Sequence, residues 1–140
     1  MIRLIAVLAL AASPAAAQTV RDCDTWEAGA RNVVWEDPSR TFANGAIRLV
    51  SLDTEEPACC YAHLLVLYPD PEMGYQTCAL VSGPNDLGLA GLSLKEATAR
   101  YDAATGLTVS VPIGRYDGER SVPDLLEVTI DQQTGTVSAR

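Results

Sequence analysis

YAHLLVLY, at residues 61–68, is a nearly continuous apolar run with the length of a β-strand. A strand that is apolar on both faces is typical of the middle of a sheet, where both faces are covered. Residues 69–74 contain two prolines and predict a turn, because proline lacks the N–H that a strand or helix needs. Residues 75–81 are predicted to return as the partner strand.

Three further segments have hairpin signals. Asn44 and Gly45 separate the strand-like residues 40–43 and 46–50, and this pair accepts the positive φ that both central positions of a two-residue type I′ turn require. Residues 101–110 and 130–138 each contain Asp-x-x-Thr-Gly between strand-like flanks. In this motif the aspartate caps the amides of the turn and the glycine takes the left-handed position.

Alternating apolar residues predict that the strands around these turns are half-buried, with one face on the core. These residues are Leu107, Val109, Val111 and Ile113, then Leu126, Val128 and Ile130. The predicted fold is therefore all-β or β-dominated. We expect a small antiparallel barrel or sandwich of about seven strands, with one or two short helical turns, stabilised by disulfides.

Two segments carry helix signals. Ser93 and Glu96 match a capping box and predict a short helical turn near residues 94–98, in which Leu94, Ala97 and Tyr101 share a face. The alternative is an extended strand that leads into the turn at Asp102. The sequence does not decide between a helical turn and a strand for residues 93–101. Residues 26–31 predict a second short helix, capped by Asp24 or Thr25.

The amino terminus has the order of features found in a secretory signal peptide. Arg3 precedes an apolar core at residues 4–12, and the small residues Ala15 and Ala17 precede Gln18. The core is shorter than the roughly 20 residues that span a bilayer. We therefore predict cleavage between Ala17 and Gln18, which leaves a single mature domain of residues 18–140 in the periplasm or the medium. No later stretch reaches membrane-spanning length.

The chain has four cysteines. In an exported domain, this even number predicts two disulfides. The cysteines are Cys23, Cys59, Cys60 and Cys78. A bond between the adjacent Cys59 and Cys60 closes an eight-membered ring and is disfavoured. The preferred pairing joins one of these two to Cys23 and the other to Cys78.

The composition makes this an acidic protein, with 18 Asp and Glu against 10 Lys and Arg and a formal net charge of −8. Removal of Arg3 with the signal peptide makes the mature chain one unit more negative. Such a surface repels nucleic acid and anionic lipid head groups. The expected partner is an unidentified protein or small ligand, and the charge favours a basic one.

Residues that could carry chemistry do not form a recognisable site. Cys59-Cys60-x-x-His63 offers metal ligands, but structural zinc needs a second pair and export favours disulfides. His63 is the single histidine, and no Gly-x-Ser-x-Gly motif presents a serine to it. We therefore predict no catalytic, metal or cofactor residue and interpret His63 as a hydrogen-bonded structural residue. Asp53, Glu55 and Glu56 are interpreted as a solvated loop, and Trp26 and Trp35 as core residues packed against a disulfide.

Residues 99–114 begin with Ala-Arg-Tyr, continue through a turn and a strand, and end at Gly114. This stretch resembles the second half of the small periplasmic inhibitors of c-type lysozyme. The resemblance implies an exported, disulfide-bearing β-barrel that binds a protein. The inhibitory serine would fall within residues 95–98, which read Lys-Glu-Ala-Thr, and the inhibitory lysine at Ile113. No site residue is therefore carried over.

The leading functional hypothesis is a non-enzymatic binding protein of the bacterial envelope. One alternative is a small periplasmic hydrolase whose site the sequence does not identify, which would need a pocket with convergent polar groups near His63. The other alternative is a structural module of an envelope complex.

Overall fold

The computed structural model describes residues 17–37 and 39–140. The predicted signal peptide lies outside the described residues except for Ala17, so its cleavage before Gln18 stays a prediction. Strand β1 begins at Thr19, directly after this position.

The described residues form ten β-strands in two antiparallel sheets. Sheet A has the order β1 (Thr19–Asp22), β5 (Gln76–Ser82), β4 (Ala62–Pro69), β3 (Ile47–Asp53) and β2 (Arg40–Phe42). Sheet B has the order β10 (Thr136–Ala139), β9 (Ser121–Asp131), β8 (Gly106–Tyr116) and β6 (Gly91–Leu92), with β7 (Thr98–Asp102) also paired to β8. The predicted β-dominated antiparallel fold is confirmed. The strands outnumber the expected seven because several have only two to four residues, too few to show alternation.

The hydrophobic core lies between the two sheets. Sheet B contributes every second residue of β8 and β9, from Leu107 to Ile113 and from Leu126 to Ile130, as the alternation predicts. Sheet A contributes alternate residues of β4, which are Ala62, Leu64, Val66 and Tyr68.

The outer face of β4 is covered by a different part of the chain. Residues 23–32 leave β1 at one edge of sheet A and reach Val33, which pairs with Leu52 of β3. Since β5 and β4 lie between these strands, the segment must cross them on the face away from sheet B. We call residues 23–32 the covering segment. Leu52 and Leu80, both fully buried outside the main core cluster, lie on the face it covers. Strand β4 is therefore central, as predicted, but its outer face is fully covered only at His63, because Leu65 and Leu67 on the same face are half-buried.

The hairpin at Asn44 and Gly45 is confirmed, but its predicted two-residue loop is wrong. Phe42 pairs with Ile47, which leaves a four-residue connection in which Ala43 also has a positive φ of 51°. A two-residue loop would pair Ala43 with Ala46 instead. The observed register has the physical advantage that the two large side chains, Phe42 and Ile47, both pack on the core.

Both Asp-x-x-Thr-Gly segments form the predicted hairpin turns. Asp102 Oδ1 accepts hydrogen bonds from the amides of Ala104 and Thr105 at 2.8 and 3.1 Å, and Gly106 has φ 91°. Asp131 accepts from the amides of residues 133 and 134 in the same way, and Gly135 has φ 70°. Asp70 and Asp117 cap the β4–β5 and β8–β9 turns similarly.

The helical turn predicted near residues 94–98 is wrong, and the extended alternative holds from Thr98. A single bond from the Ala97 amide to the Leu94 carbonyl forms a β-turn. Tertiary contacts engage this backbone instead: Asp37 accepts from the Leu94 amide at 2.8 Å, and Arg40 donates to the Leu94 and Ala97 carbonyls. These hydrogen bonds fix the turn. They also hold Leu94 in place, and its side chain is fully buried in the core.

The helix predicted at residues 26–31 appears as two 3₁₀ turns, Trp26–Ala28 and Ala30–Asn32. Neither has the predicted side-chain cap. Thr25 precedes the first turn in an extended conformation without capping it.

The disulfide pairing differs from the prediction. Cys23 bonds Cys78, and Cys59 bonds Cys60. The register of β1 on β5 sets Asp22 opposite Ala79, which brings Cys23 beside Cys78 with a Cα–Cα distance of 5.8 Å. The adjacent pair lies apart from them in the β3–β4 loop. The predicted pairing is wrong because the register of β1 on β5, which is not visible in the sequence, pairs Cys23 with Cys78 and leaves Cys59 and Cys60 to each other.

The two disulfides should contribute very differently to stability. Cys23–Cys78 spans a sequence separation of 55 residues, so its removal should lower the free energy of unfolding by about 4 kcal/mol in the chain-entropy model. Denaturant unfolding of the Cys23→Ser/Cys78→Ser variant measures this. The matched control, Cys59→Ser/Cys60→Ser, removes a bridge that closes almost no loop. An equal loss of stability in both variants would contradict this assignment.

Candidate functional site

A cleft of about 480 Å³ opens where four segments of the chain meet. The covering segment supplies Trp26 and Glu27 to its lining. The β3–β4 loop supplies Thr54, Glu56, Ala58, Cys59 and Cys60, and the β5–β6 loop supplies Asp86, Leu87 and Gly88. His63 of β4 and Tyr116 at the end of β8 complete it.

Backbone contacts fix the two loops against each other. The Thr54 amide and hydroxyl both donate to the Tyr61 carbonyl, which closes the β3–β4 loop. Ala62 and Leu89 exchange two backbone hydrogen bonds of 3.0 and 2.7 Å, which attach the β5–β6 loop to the start of β4. Gly88 makes the closest approach, since a Cβ built there would lie 1.8 Å from the Cys60 carbonyl oxygen.

The covering segment is held in place by one buried amide. Asn32 Nδ2 donates to the carbonyl oxygens of Trp26 and Glu27 at 3.0 and 2.9 Å. This side chain therefore fixes the backbone of the two residues that the covering segment presents to the cleft.

His63 is the most buried ionisable side chain of the cleft, at 4% exposed. Its Nδ1 lies 2.8 Å from the hydroxyl oxygen of Ser82 on the neighbouring strand. Burial lowers the pKa of His63, the Glu27 carboxylate opposes this shift, and Arg21 adds to it. The imidazole is therefore neutral at pH 7. Within residues 17–37 and 39–140, no hydrogen bond engages Nε2, the second ring nitrogen.

The charges around the cleft are mainly negative. Glu27 Oε1 accepts from Arg21 at 2.9 Å, and Asp86 lies 3.6 Å from the same guanidinium. Burial raises the pKa of Glu27, but hydrogen bonds and the positive charge of Arg21 outweigh it and hold the pKa below its usual value. Glu56 has no ion-pair partner in the described part of the chain.

The polar groups around His63 do not form a familiar catalytic set among the described residues. Ser82 is fully buried, so its hydroxyl cannot reach a substrate, although it contacts the imidazole. No carboxylate is hydrogen-bonded to His63 among the described residues, so a Ser-His-Asp relay is not assembled there. The cysteine thiols are consumed in disulfides. The described ranges also hold no cluster of three or more His, Cys, Asp or Glu side chains suited to a metal ion.

The structure brings together several residues that the sequence analysis considered separately: Trp26, Glu56, Cys59, Cys60 and His63. The hydrogen-bonded role predicted for His63 is confirmed. The core role predicted for the tryptophans is wrong, since Trp26 is 58% and Trp35 77% exposed. Both lie on connections outside the main core, which strand aliphatics fill. Trp35 lines a separate groove with Val50 and Leu67.

Sequence reasoning missed Glu27, Ser82, Leu87 and Tyr116. The signal for Ser82 was present, because an antiparallel hairpin around the predicted turn at residues 69–74 sets it close to His63. No such signal existed for Tyr116 or Leu87. They belong to a different sheet and a different loop, and only the packing of the two sheets brings them near His63.

Comparison with known proteins found no matching family model, no matching curated protein and no matching solved structure. The resemblance of residues 99–114 therefore carries no family assignment. Among the residues that the structure describes, no helix has the length and apolar character needed to cross a membrane.

The stability of the fold should depend on pH through His63. Because its pKa is lowered in the folded state, stability is complete above the unfolded value of about 6.5 and is lost as the pH falls from there toward the folded pKa. The slope should not exceed about 1.4 kcal/mol per pH unit. Urea unfolding at several pH values between 7.5 and 5.5 measures it. His63→Gln should abolish the dependence, since the chain has no other histidine; an unchanged slope in this variant would contradict the assignment.

Gly88 should be essential to the wall of the cleft. Gly88→Ala forces the Cβ into the Cys60 carbonyl, so the two loops must separate, and we expect a loss of about 1–3 kcal/mol in thermal or denaturant unfolding. Gly91→Ala is the matched control, because its Cβ would have no neighbour closer than 3.8 Å. A Gly88→Ala variant as stable as this control would show that the close approach is absent.

Proposed function

We propose that this protein is an exported, non-enzymatic binding protein of the bacterial envelope and that its ligand occupies the cleft beside His63. The observation that carries the proposal is the combination of an open, largely apolar cleft with a neutral, buried imidazole and a serine that substrate cannot reach. Binding sites commonly consist of an apolar hollow with a few convergent polar groups.

Export is proposed from the signal-peptide pattern of residues 1–17 and from the disulfides. Disulfides persist in oxidising compartments such as the periplasm, and both bridges are compatible with that location. Three loop and turn segments form the cleft on a sheet scaffold, an arrangement that frequently carries recognition in proteins.

Export can be tested with the full 140-residue chain. After production in a bacterium, the protein should be released with the periplasmic fraction, and its amino-terminal sequence should begin at Gln18. A control chain in which Leu8 is replaced by Arg interrupts the apolar core and should remain in the cytoplasm with its leader intact. Recovery of the unaltered chain in the cytoplasm, uncleaved, would contradict export.

The binding function can be tested without knowledge of the ligand. A fragment library is screened by two-dimensional NMR, and bound fragments should shift the Trp26 indole and the His63 imidazole resonances. Trp26→Ala should weaken these fragments, whereas Trp35→Ala, which removes an exposed tryptophan outside the cleft, should not. A screen in which no fragment shifts cleft resonances would overturn the proposal. So would hydrolysis of ester or glycoside substrates that His63→Gln abolishes, which would favour the hydrolase alternative.

A further inference from the structure

The geometry points to a cation as the ligand of the cleft: we propose that it accepts an alkylammonium or guanidinium group carried on an apolar stem. This inference rests on the proposed binding function and adds the chemical class of the ligand. The group belongs either to a free organic amine or to a lysine or arginine side chain of a partner.

The charge of the cleft favours a cation. Three of its lining residues, Glu27, Glu56 and Asp86, carry carboxylates, and none of the lining residues in the described chain is Lys or Arg. Arg21 lies behind the wall and neutralises one negative charge shared between Glu27 and Asp86. Arg115, next to Tyr116, is ion-paired with Asp124 at 2.8 Å. The unpaired Glu56 leaves the cleft negative overall, which attracts a cation and repels an anion.

The walls favour a cation that carries apolar groups. Trp26 and Tyr116 are 58% and 44% exposed, and aromatic faces attract ammonium and guanidinium groups. Leu87 and the Cys59–Cys60 bridge add apolar surface without a hydrogen-bond donor that would compete for the carboxylates. An aliphatic stem gains free energy against these groups, while a bare metal ion does not.

A buried carboxylate oxygen is the second, independent indication of a ligand. Glu27 lines the cleft, and its Oε2 is buried without a hydrogen-bond partner in the described chain. Leaving a buried acceptor unpaired is costly, so the ligand is expected to donate to it. A primary ammonium or a guanidinium has several N–H donors and can donate to more than one carboxylate oxygen at once.

The experiment uses the mature protein and four probes of defined chemistry. The cationic probes are n-butylammonium and the tripeptide Ac-Gly-Lys-Gly-NH₂; the neutral probes of matched size are 1-butanol and Ac-Gly-Gln-Gly-NH₂. NMR titration at pH 7.5 should show that cationic probes shift the Trp26 and His63 resonances and bind at least about fivefold more tightly than the neutral ones. Binding should weaken between 0.05 and 0.5 M NaCl, because salt screens exposed charges.

Matched variants separate the local charge from the overall charge. Glu56→Gln/Asp86→Asn removes two carboxylates from the cleft and should raise the Kd of both cationic probes about tenfold. Glu72→Gln/Glu96→Gln removes the same number of charges from exposed turns outside the cleft and should leave the Kd almost unchanged.

The outcomes distinguish this inference from the function on which it rests. Equal binding of neutral and cationic probes in the cleft would overturn the inference that the ligand is a cation, but the proposed binding function would still hold. Equal effects of the two double variants would show that only the overall charge matters and would also overturn it. If no probe shifts the NMR resonances of Trp26 and His63, a cationic ligand is excluded. The fragment screen alone then decides whether the cleft binds a ligand. Tighter binding of the lysine peptide than of n-butylammonium would identify a partner's side chain as the source.

Discussion

The coverage of both faces of strand β4 at its His63 end is the constraint on which the other features depend. One face of this strand packs against sheet B, and the covering segment crosses the other face between β1 and β3. This crossing buries Leu52 and Leu80 and holds His63 away from water. It also places Trp26 and Glu27 at one end of the sheet, where they become part of the cleft. Without the crossing, His63 would be an exposed residue on an open sheet face, and the cleft would lack one wall.

Four of the eighteen acidic residues have a structural role in hairpin turns. Asp70, Asp102, Asp117 and Asp131 cap hairpin turns, and each accepts hydrogen bonds from two backbone amides. For Asp102, Asp117 and Asp131, these backbone hydrogen bonds are the chief cause of a lowered pKa. The net charge alone therefore says little about partners. The carboxylates that bear on the proposed function are the few that line the cleft without capping a turn, and only the fold distinguishes the two kinds.

The cleft depends on contacts that allow almost no substitution. The Cys60 carbonyl approaches Gly88 so closely that no side chain fits, and Cys60 itself has a positive φ of 67°. Non-glycine residues in this conformation are uncommon and tend to occur where surrounding contacts enforce them, functional sites among them. Here the enforcing contacts are the hydrogen bonds between Ala62 and Leu89 and those that close the β3–β4 loop at Tyr61. The bridge between Cys59 and Cys60 thus lies in a segment that is fixed on both sides.

The pattern of amino acids alone predicts the β-dominated class, the central position of residues 61–68, the inward faces of β8 and β9 and the aspartate-capped turns. These follow from periodicity and turn chemistry, which act between residues close in the chain. Disulfide pairing, the exposure of both tryptophans and the loss of the helical turn near residue 94 were decided by the tertiary structure. Each depends on which strands become neighbours: β1 beside β5 sets the disulfide, and Asp37 and Arg40 set the turn. The cleft belongs to this second group, because its residues come from four distant segments that only the packing of two sheets and one crossing brings together.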